Sequence, residues 1–323
     1  MNAPDLPTDP LDGLRPSADR RDPRAPSLLR PWGESDTLRG RRVLLGVPYD
    51  GGIPSRPGAR FGPRALREAL GAFGTFDGSR EMADDAGLLD LGDLALPTMN
   101  AEAAHGRIET AAQRIFAAGA RPIFVGGDHG VTGSLIRGLA AAHPELRLAL
   151  ITIDAHLDVR EYEDEASLSS GTPFRRALET SVLEGERTAM IGVRRFANSR
   201  YYTEWAEARG VNLVTVADVA ERGAATIARD AIAHVLKDAD ALYLSVDLDA
   251  ADAAVAPGVS APGIGGLSAR EMIELVRTVA GEPRLLGADL MELSPPYDQD
   301  GRTAKLAARL LLELLAADGA TGR

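Results

Sequence analysis

From Arg42 onward, short apolar runs alternate with longer amphipathic, alanine-rich stretches, the pattern of parallel strands joined by crossover helices. The apolar runs predict strands at Val43–Val47, Ile123–Val125, Leu148–Ile153, Ala189–Val193, Leu213–Val216, Leu242–Val246 and Leu285–Leu290. Between them, helical periodicity marks Pro63–Phe73, Ala101–Ala118, Val131–His143, Ala225–Lys237, Ser268–Val279 and Thr303–Leu315. Several of these open with Pro, Ser or Thr near the first turn. The alternation predicts an α/β fold, a three-layer sandwich around a mostly parallel central sheet, with residues 34–323 forming a single domain. Residues 1–33, rich in Pro, Asp and Arg, have no periodicity and no apolar core of a signal peptide, and read as a disordered tail outside the fold.

Three acidic words stand directly behind three of these strands. They are Gly126-Gly127-Asp128-His129, Asp154-Ala155-His156-Leu157-Asp158 and Asp247-Leu248-Asp249. In open α/β sheets ligands gather beyond the carboxyl ends of the strands, so all three fall at one edge, and a fourth strand delivers Glu292 there. Alternate residues of an extended segment share a side, which brings Asp154, His156 and Asp158 together, and likewise Asp247 and Asp249. So many carboxylates in one place call for cations. Four carboxylates and two imidazoles suit two hard or borderline divalent ions, with Mn²⁺ favoured over Mg²⁺ because imidazole is present; Fe²⁺, Co²⁺, Ni²⁺ and Zn²⁺ suit the same donors. Two such ions about 3.5–4 Å apart can share a water, lower its pKa and aim it at an electrophilic carbon.

Composition narrows the partners. The net charge of −11 repels phosphate backbones and anionic membrane surfaces, which disfavours nucleic acid and lipid and leaves a small-molecule substrate. No apolar run approaches the roughly 20 residues that cross a bilayer. The absence of cysteine excludes disulfides and thiolate nucleophiles, and fits a cytoplasmic setting. No Gly-x-Ser-x-Gly elbow is present, so a metal-activated water is the candidate nucleophile.

Gly-Gly-Asp-His at 126–129, Asp-Ala-His-x-Asp at 154–158 and Ser-x-Asp-x-Asp-x-x-Asp at 245–252 together resemble the ureohydrolases, the family of arginase, agmatinase and formimidoylglutamase. The resemblance covers nearly everything after the tail and implies an arginase-like fold. It also implies two Mn²⁺ ions per subunit. One would be held by His129, Asp154, Asp158 and Asp247, the other by His156, Asp154, Asp247 and Asp249. Glu292 matches the family glutamate that grips a planar amidine or guanidine, and homo-oligomers, trimers or hexamers, are implied as well.

Some positions depart from the family pattern. Gly130 replaces a serine, Ala253 replaces a proline, and Ser170 stands where arginase-like and agmatinase-like members carry a proton-shuttling histidine. With Ser170 beside Gly171, Asp-Ala-His-Leu-Asp-Val-Arg at 154–160 and the segment 256–262, the chain looks like the formimidoylglutamase branch, whereas Arg56–Pro63 looks more like agmatinase. Formimidoylglutamate carries two carboxylates, so its site requires fixed positive charge. Arg160, two residues past Asp158, suits one carboxylate through a bidentate pair, and Arg194 and Arg195, behind another strand, are candidates for the second. Glu161, Glu163, Asp164 and Glu165 oppose them on the same loop. The expected reaction is attack of the shared water on the formimino carbon, with Asp158 protonating the departing glutamate nitrogen.

Each feature also has a plainer reading. His129 alone suits a turn residue, Asp154 and Asp158 suit capping, Glu292 suits an ion pair, and Arg160, Arg194 and Arg195 suit surface charges. His105, His143 and His234 lie in helix-like polar stretches and carry no assigned chemistry. Two other functions remain open: an amidinohydrolase acting on agmatine or a guanidino acid and releasing urea, and a non-catalytic metal-binding subunit. The complete set of six ligands argues against the last.

Overall fold

The computed structural model describes residues 21–82, 87–162 and 168–317. Among the described residues nine parallel strands form one sheet: β1 (Leu29–Pro31), β2 (Arg42–Val47), β3 (Leu88–Asp93), β4 (Arg121–Gly126), β5 (Leu148–Ile153), β6 (Leu183–Val193), β7 (Asn212–Thr215), β8 (Ala241–Asp247) and β9 (Leu285–Met291). Their order across the sheet is β1-β3-β2-β4-β9-β8-β5-β6-β7. The helices are α1 (Gly62–Ala69), α2 (Ala101–Ala117), α3 (Gly130–Ala142), α4 (Pro173–Leu178), α5 (Arg200–Glu207), α6 (Val216–Arg222), α7 (Ala224–Val235), α8 (Ala269–Ala280) and α9 (Arg302–Ala316).

The two faces of each central strand feed two separate cores. Along β5, Ala149, Ile151 and Ile153 pack toward α7, α8 and α9, while Leu148 and Leu150 pack toward α2, α3 and α4. All six residues of β5 are buried, which is why the run Leu-Ala-Leu-Ile-Thr-Ile shows no polar alternation. Each large aliphatic buried in this way contributes about 1.5–3 kcal/mol. The architecture is the expected three-layer sandwich.

Two strands lie outside the sequence prediction. β3 carries Asp90 and Asp93, which disguise it as a loop; both are neutralised by Arg67 of α1, at 2.8 Å and 2.6 Å. β1 corrects the expected tail over 1–33. Leu29, Arg30 and Pro31 pair with β3, and Ala25 and Leu28 are buried, so the fold begins ahead of residue 34, while residues 1–20 lie outside the described residues. Three short helices, α4, α5 and α6, also went unpredicted. Val216, expected as the end of a strand, instead opens α6, because Thr215 accepts from the backbone of Asp218 while the Asp218 carboxylate caps back onto Thr215.

Candidate metal centre

β4, β9, β8 and β5 are consecutive neighbours in the sheet, although two of them come from the middle of the chain and two from its last third. β5 leads on to β6 on one side and its neighbour β8 leads to β9 on the other, which opens the crevice where such sheets bind ligands. Each strand ends in one part of the site: His129 after β4, Glu292 after β9, Asp247 and Asp249 at β8, and Asp154, His156 and Asp158 after β5.

The local backbone explains why these words are spelled as they are. A Cβ on Gly127 would stand 1.6 Å from the Tyr49 carbonyl oxygen, and one on Gly126 would stand 1.9 Å from the Met291 sulfur. Only glycine lets the chain turn there and put His129 at the head of α3. The expected alternation along 154–158 is corrected. β5 stops at Ile153, and the following segment is a turn in which Asp154 Oδ1 accepts from the His156 amide at 2.6 Å and Asp158 adopts φ 47°. Asp247 likewise accepts from the Asp249 amide at 2.7 Å and starts a 3₁₀ turn over Leu248–Ala250. The carboxylates converge because they fold their own turns, not because they share a strand face.

Their convergence is tight. The Nδ1 of His129 stands 3.1 Å from Asp154 Oδ2, 3.3 Å from Asp158 Oδ2 and 3.0 Å from Asp247 Oδ2. The Nδ1 of His156 is 3.1 Å from Asp249 Oδ2 and 3.7 Å from Asp154 Oδ1. His129, Asp154, Asp158 and Asp247 thus form one group able to hold a cation; Asp154, His156 and Asp249 form a second, and Asp154 belongs to both. Asp247, which the resemblance places in both ligand sets, falls within ligand spacing of the first group only. Three atoms in the cluster, His129 Nδ1, Asp154 Oδ2 and Asp249 Oδ1, are buried with no hydrogen-bond partner. The contacts of His129 Nδ1 have the distance of hydrogen bonds but not the direction. Lone pairs aimed at a common point, on oxygen and nitrogen donors alone, fit a divalent cation.

Burial and crowding shift the titration of these groups strongly. Burial raises Asp247 far above the usual carboxylate range, with repulsion from Asp249 and Asp154 adding to it, and burial followed by repulsion from Asp158 lifts Asp154 to about 6. Burial opposes a charge on His156, but Asp249 outweighs it and holds the imidazole up at about 10. His129 is raised in the same way by its three carboxylates.

Behind the ligands lies a buried relay that sequence reasoning passed over. Ser245 Oγ is 2.9 Å from His129 Nε2 and donates to Asp289 at 2.6 Å; Asp289 also accepts from Thr132 and from Tyr243. The relay fixes the ring so that Nδ1 faces the carboxylates. Phe174 meets the same ring edge-on at 5.0 Å. The signal for Ser245 was available, since it lies two residues before Asp247 on β8, whereas its register partner Asp289 is set only by the pairing with β9. Glu292, at φ 69°, accepts from the His129 amide at 2.8 Å and from Ser260, and burial, with Asp128 nearby, pushes it up to about 8.

The cluster opens into a cavity of about 140 Å³ whose lining includes Ser55, Arg160, Tyr162, Ser170, Gly171 and Ser260 besides the ligands. A larger cavity, about 500 Å³, lies against α9 and has no such cluster. Arg160 is exposed and pinned by its amide, which donates to the Gly171 carbonyl at 2.9 Å; a Cβ on Gly171 would strike the Arg160 side chain. The Ser170 amide donates to the Gly52 carbonyl, tying this rim to the loop that carries Ser55. Glu163, Asp164 and Glu165 lie outside the described residues. Arg194 and Arg195 depart from expectation, since neither lines the cavity. Arg195 stacks over the exposed Phe196, and Arg194 is buried with its guanidinium against Gly263. Asp252, the last acid of the third motif, is no ligand; it holds its loop by accepting from the amides of Ala254, Gly265 and Gly266. His105 is not on a polar face either: it is buried against Ser134 at 2.9 Å.

A model of the arginase family matches residues 41–317. A formimidoylglutamase from Halalkalibacterium halodurans is 33% identical over 307 residues, covering 93% of this chain and 93% of its own. A guanidinopropionase from Pseudomonas aeruginosa is 37% identical over 294 residues, covering 90% of each. Among solved structures, a formiminoglutamase from Trypanosoma cruzi with Mn²⁺ superimposes with a TM-score of 0.83 at 27% identity, covering 92% of this chain and 98% of that one.

Proposed function

The chain belongs to the arginase family, and from that premise we propose that it is a binuclear-manganese hydrolase that cleaves the C–N bond of N-formimidoyl-L-glutamate to give L-glutamate and formamide. The observation that carries this reading is the pair of ligand groups sharing Asp154 at the floor of a cavity whose rim holds Arg160 and Ser170. The T. cruzi formiminoglutamase with Mn²⁺ supports the choice of metal. When bound, two such ions supply an acidified water and polarise the carbon it attacks.

The residues divide the remaining work. His129, Asp154, Asp158 and Asp247 would hold one ion, and Asp154, His156 and Asp249 would hold the other. Glu292, locked by the His129 amide and Ser260, offers its carboxylate to the planar N–H groups of the amidine. Asp158, in the cavity wall, moves a proton to the departing glutamate nitrogen, a task for which Ser170 has no basic group. Arg160 pairs with a substrate carboxylate, and Ser170 and Gly171 shape the space beside it. Agmatine would bring a second cation against Arg160.

A second reading, hydrolysis of a guanidino acid with release of urea, draws on the 37%-identical guanidinopropionase. The manganese-loaded protein, offered formimidoylglutamate, agmatine and 3-guanidinopropionate with formamide and urea measured separately, decides between them. Formamide and glutamate in equal amounts are expected, and urea from the guanidino acid alone would replace this reading with the second. We further propose a trimeric or hexameric assembly, which light scattering on the purified protein checks, and a cytoplasmic location, which the absence of cysteine supports.

A further inference from the structure

The turn that carries Asp154, His156 and Asp158 is gripped from outside by one side-chain amide. Asn198 Nδ2 donates to the Ala155 carbonyl at 3.0 Å, and Asn198 Oδ1 accepts from the Leu157 amide at 2.9 Å. The orientation of that side chain is forced, because a backbone carbonyl only accepts and a backbone N–H only donates. The two bonds hold the peptide groups on either side of His156, while Asp154 Oδ1 accepts from the His156 amide itself. The loop behind β6 brings Asn198 there: Phe196, at φ 66°, turns the chain back, and Ser199 then opens α5 by accepting from the Tyr202 amide. Leu157 is buried, so an amide left without a partner at that position is costly. A side chain placed to hold substrate would present its amide to the cavity. Asn198 does not line it, and gives both polar atoms to main chain.

We propose that Asn198 is a positioning residue that fixes the main chain on both sides of His156 and so aims its imidazole at the ion held with Asp154 and Asp249. The inference rests on the two-metal reading of the cluster. Without Asn198, the Ala155 carbonyl still accepts from the Arg194 amide, but the Leu157 amide is stranded and the segment bearing His156 is free to rotate. The ion of the other group is less affected. His129 is held by Ser245, Asp154 by its own amide on the Ile191 carbonyl, and Asp247 by the Asp249 amide.

The test reads metal as well as turnover. Wild type, Asn198→Leu and Tyr202→Phe are loaded with Mn²⁺, and ion stoichiometry and the rate of release to a chelator are measured beside turnover at rising free Mn²⁺. Leucine is close to asparagine in size and makes neither bond. Tyr202 is the control, because it lies on the same helix and its hydroxyl is 3.2 Å from both the amide and the carbonyl of Glu161, away from His156. The wild type is expected to hold two ions per chain. Asn198→Leu should release one of them about tenfold faster, the scale of lost outer-shell support, and excess Mn²⁺ should restore its turnover. Tyr202→Phe should release both ions at the wild-type rate. If Asn198→Leu fails to fold, Asn198→Ala, which removes the side chain without crowding the loop, carries the same comparison. Wild-type release from the Asn198 variant, equal acceleration of both ions, turnover that excess Mn²⁺ does not restore, or the same loss in Tyr202→Phe would overturn the proposal. A wild type that binds fewer than two ions overturns the two-metal reading instead.

Discussion

The floor of the cavity and its rim are built on different principles. On the floor and directly beneath it, His129, Asp154, Asp247 and Asp249 are buried at strand ends, each fixed by hydrogen bonds to a neighbouring turn or to the Ser245–Asp289 relay. At the rim, Arg160, Tyr162 and Ser170 sit on loops, partly or fully exposed, and Arg160 and Ser170 are held through their backbone amides. The floor places its charges through buried hydrogen bonds at the strand ends. The rim can be rewritten without disturbing the core. One family can therefore keep its metal chemistry and change its substrate.

The sharpest way to break this contrast is to remove a floor carboxylate. Asp247→Ala should abolish loading of the ion held with His129 and take activity to background; retained binuclear metal, measured by elemental analysis, would contradict the assignment. A step smaller is the support beneath the floor. Ser245→Ala leaves every ligand present but frees the His129 ring, and a loss of roughly 10- to 100-fold in metal affinity or turnover is expected by chelator competition and steady-state kinetics. At the rim the effect should be smaller and of a different kind. Arg160→Met should raise KM for formimidoylglutamate about tenfold, one charge-assisted hydrogen bond contributing about 1.5 kcal/mol, while kcat and metal content stay near wild type. A fall in metal content in that variant would merge floor and rim.

The mildest test uses pH. His156 in the metal-free site is held up at about 10 by Asp249, against burial, so at pH 7 it keeps its proton and must shed it to bind a cation. The sign follows: affinity of the second group should rise with pH from 7 toward 10, with proton release on loading near neutrality. Titration calorimetry in two buffers of different ionisation enthalpy measures that release, and none at pH 7 would mean that the imidazole is already neutral.

The sequence was most legible where one element suffices to specify the result. Leu148–Ile153 is an uninterrupted apolar run, and β5 has those bounds. β3 was illegible because the partner that neutralises Asp90 and Asp93 is Arg67, more than twenty residues away. For the metal cluster, the residues were legible and their geometry was not. Period-two alternation pointed to Asp154, His156 and Asp158 sharing a side, yet the convergence comes from the φ 47° turn at Asp158. Arg194 differs from expectation for a related reason, since a position behind a strand does not say whether a side chain reaches the cavity or packs against a loop, as Arg194 does at Gly263.

What the chain determined by itself is the alternation that makes a parallel sheet with helices on both faces, the edge at which its acids must collect, and the donor types that suit divalent ions. These follow from periodicity and from the cost of crowding like charges, both local properties. Only the tertiary structure decided which groups share Asp154, that Ser245 and Asp289 hold His129, and that Arg160 faces the cavity while Arg194 is buried against Gly263. Those outcomes depend on strand order and on the paths of loops far apart in the chain, and no local pattern encodes a distance between them.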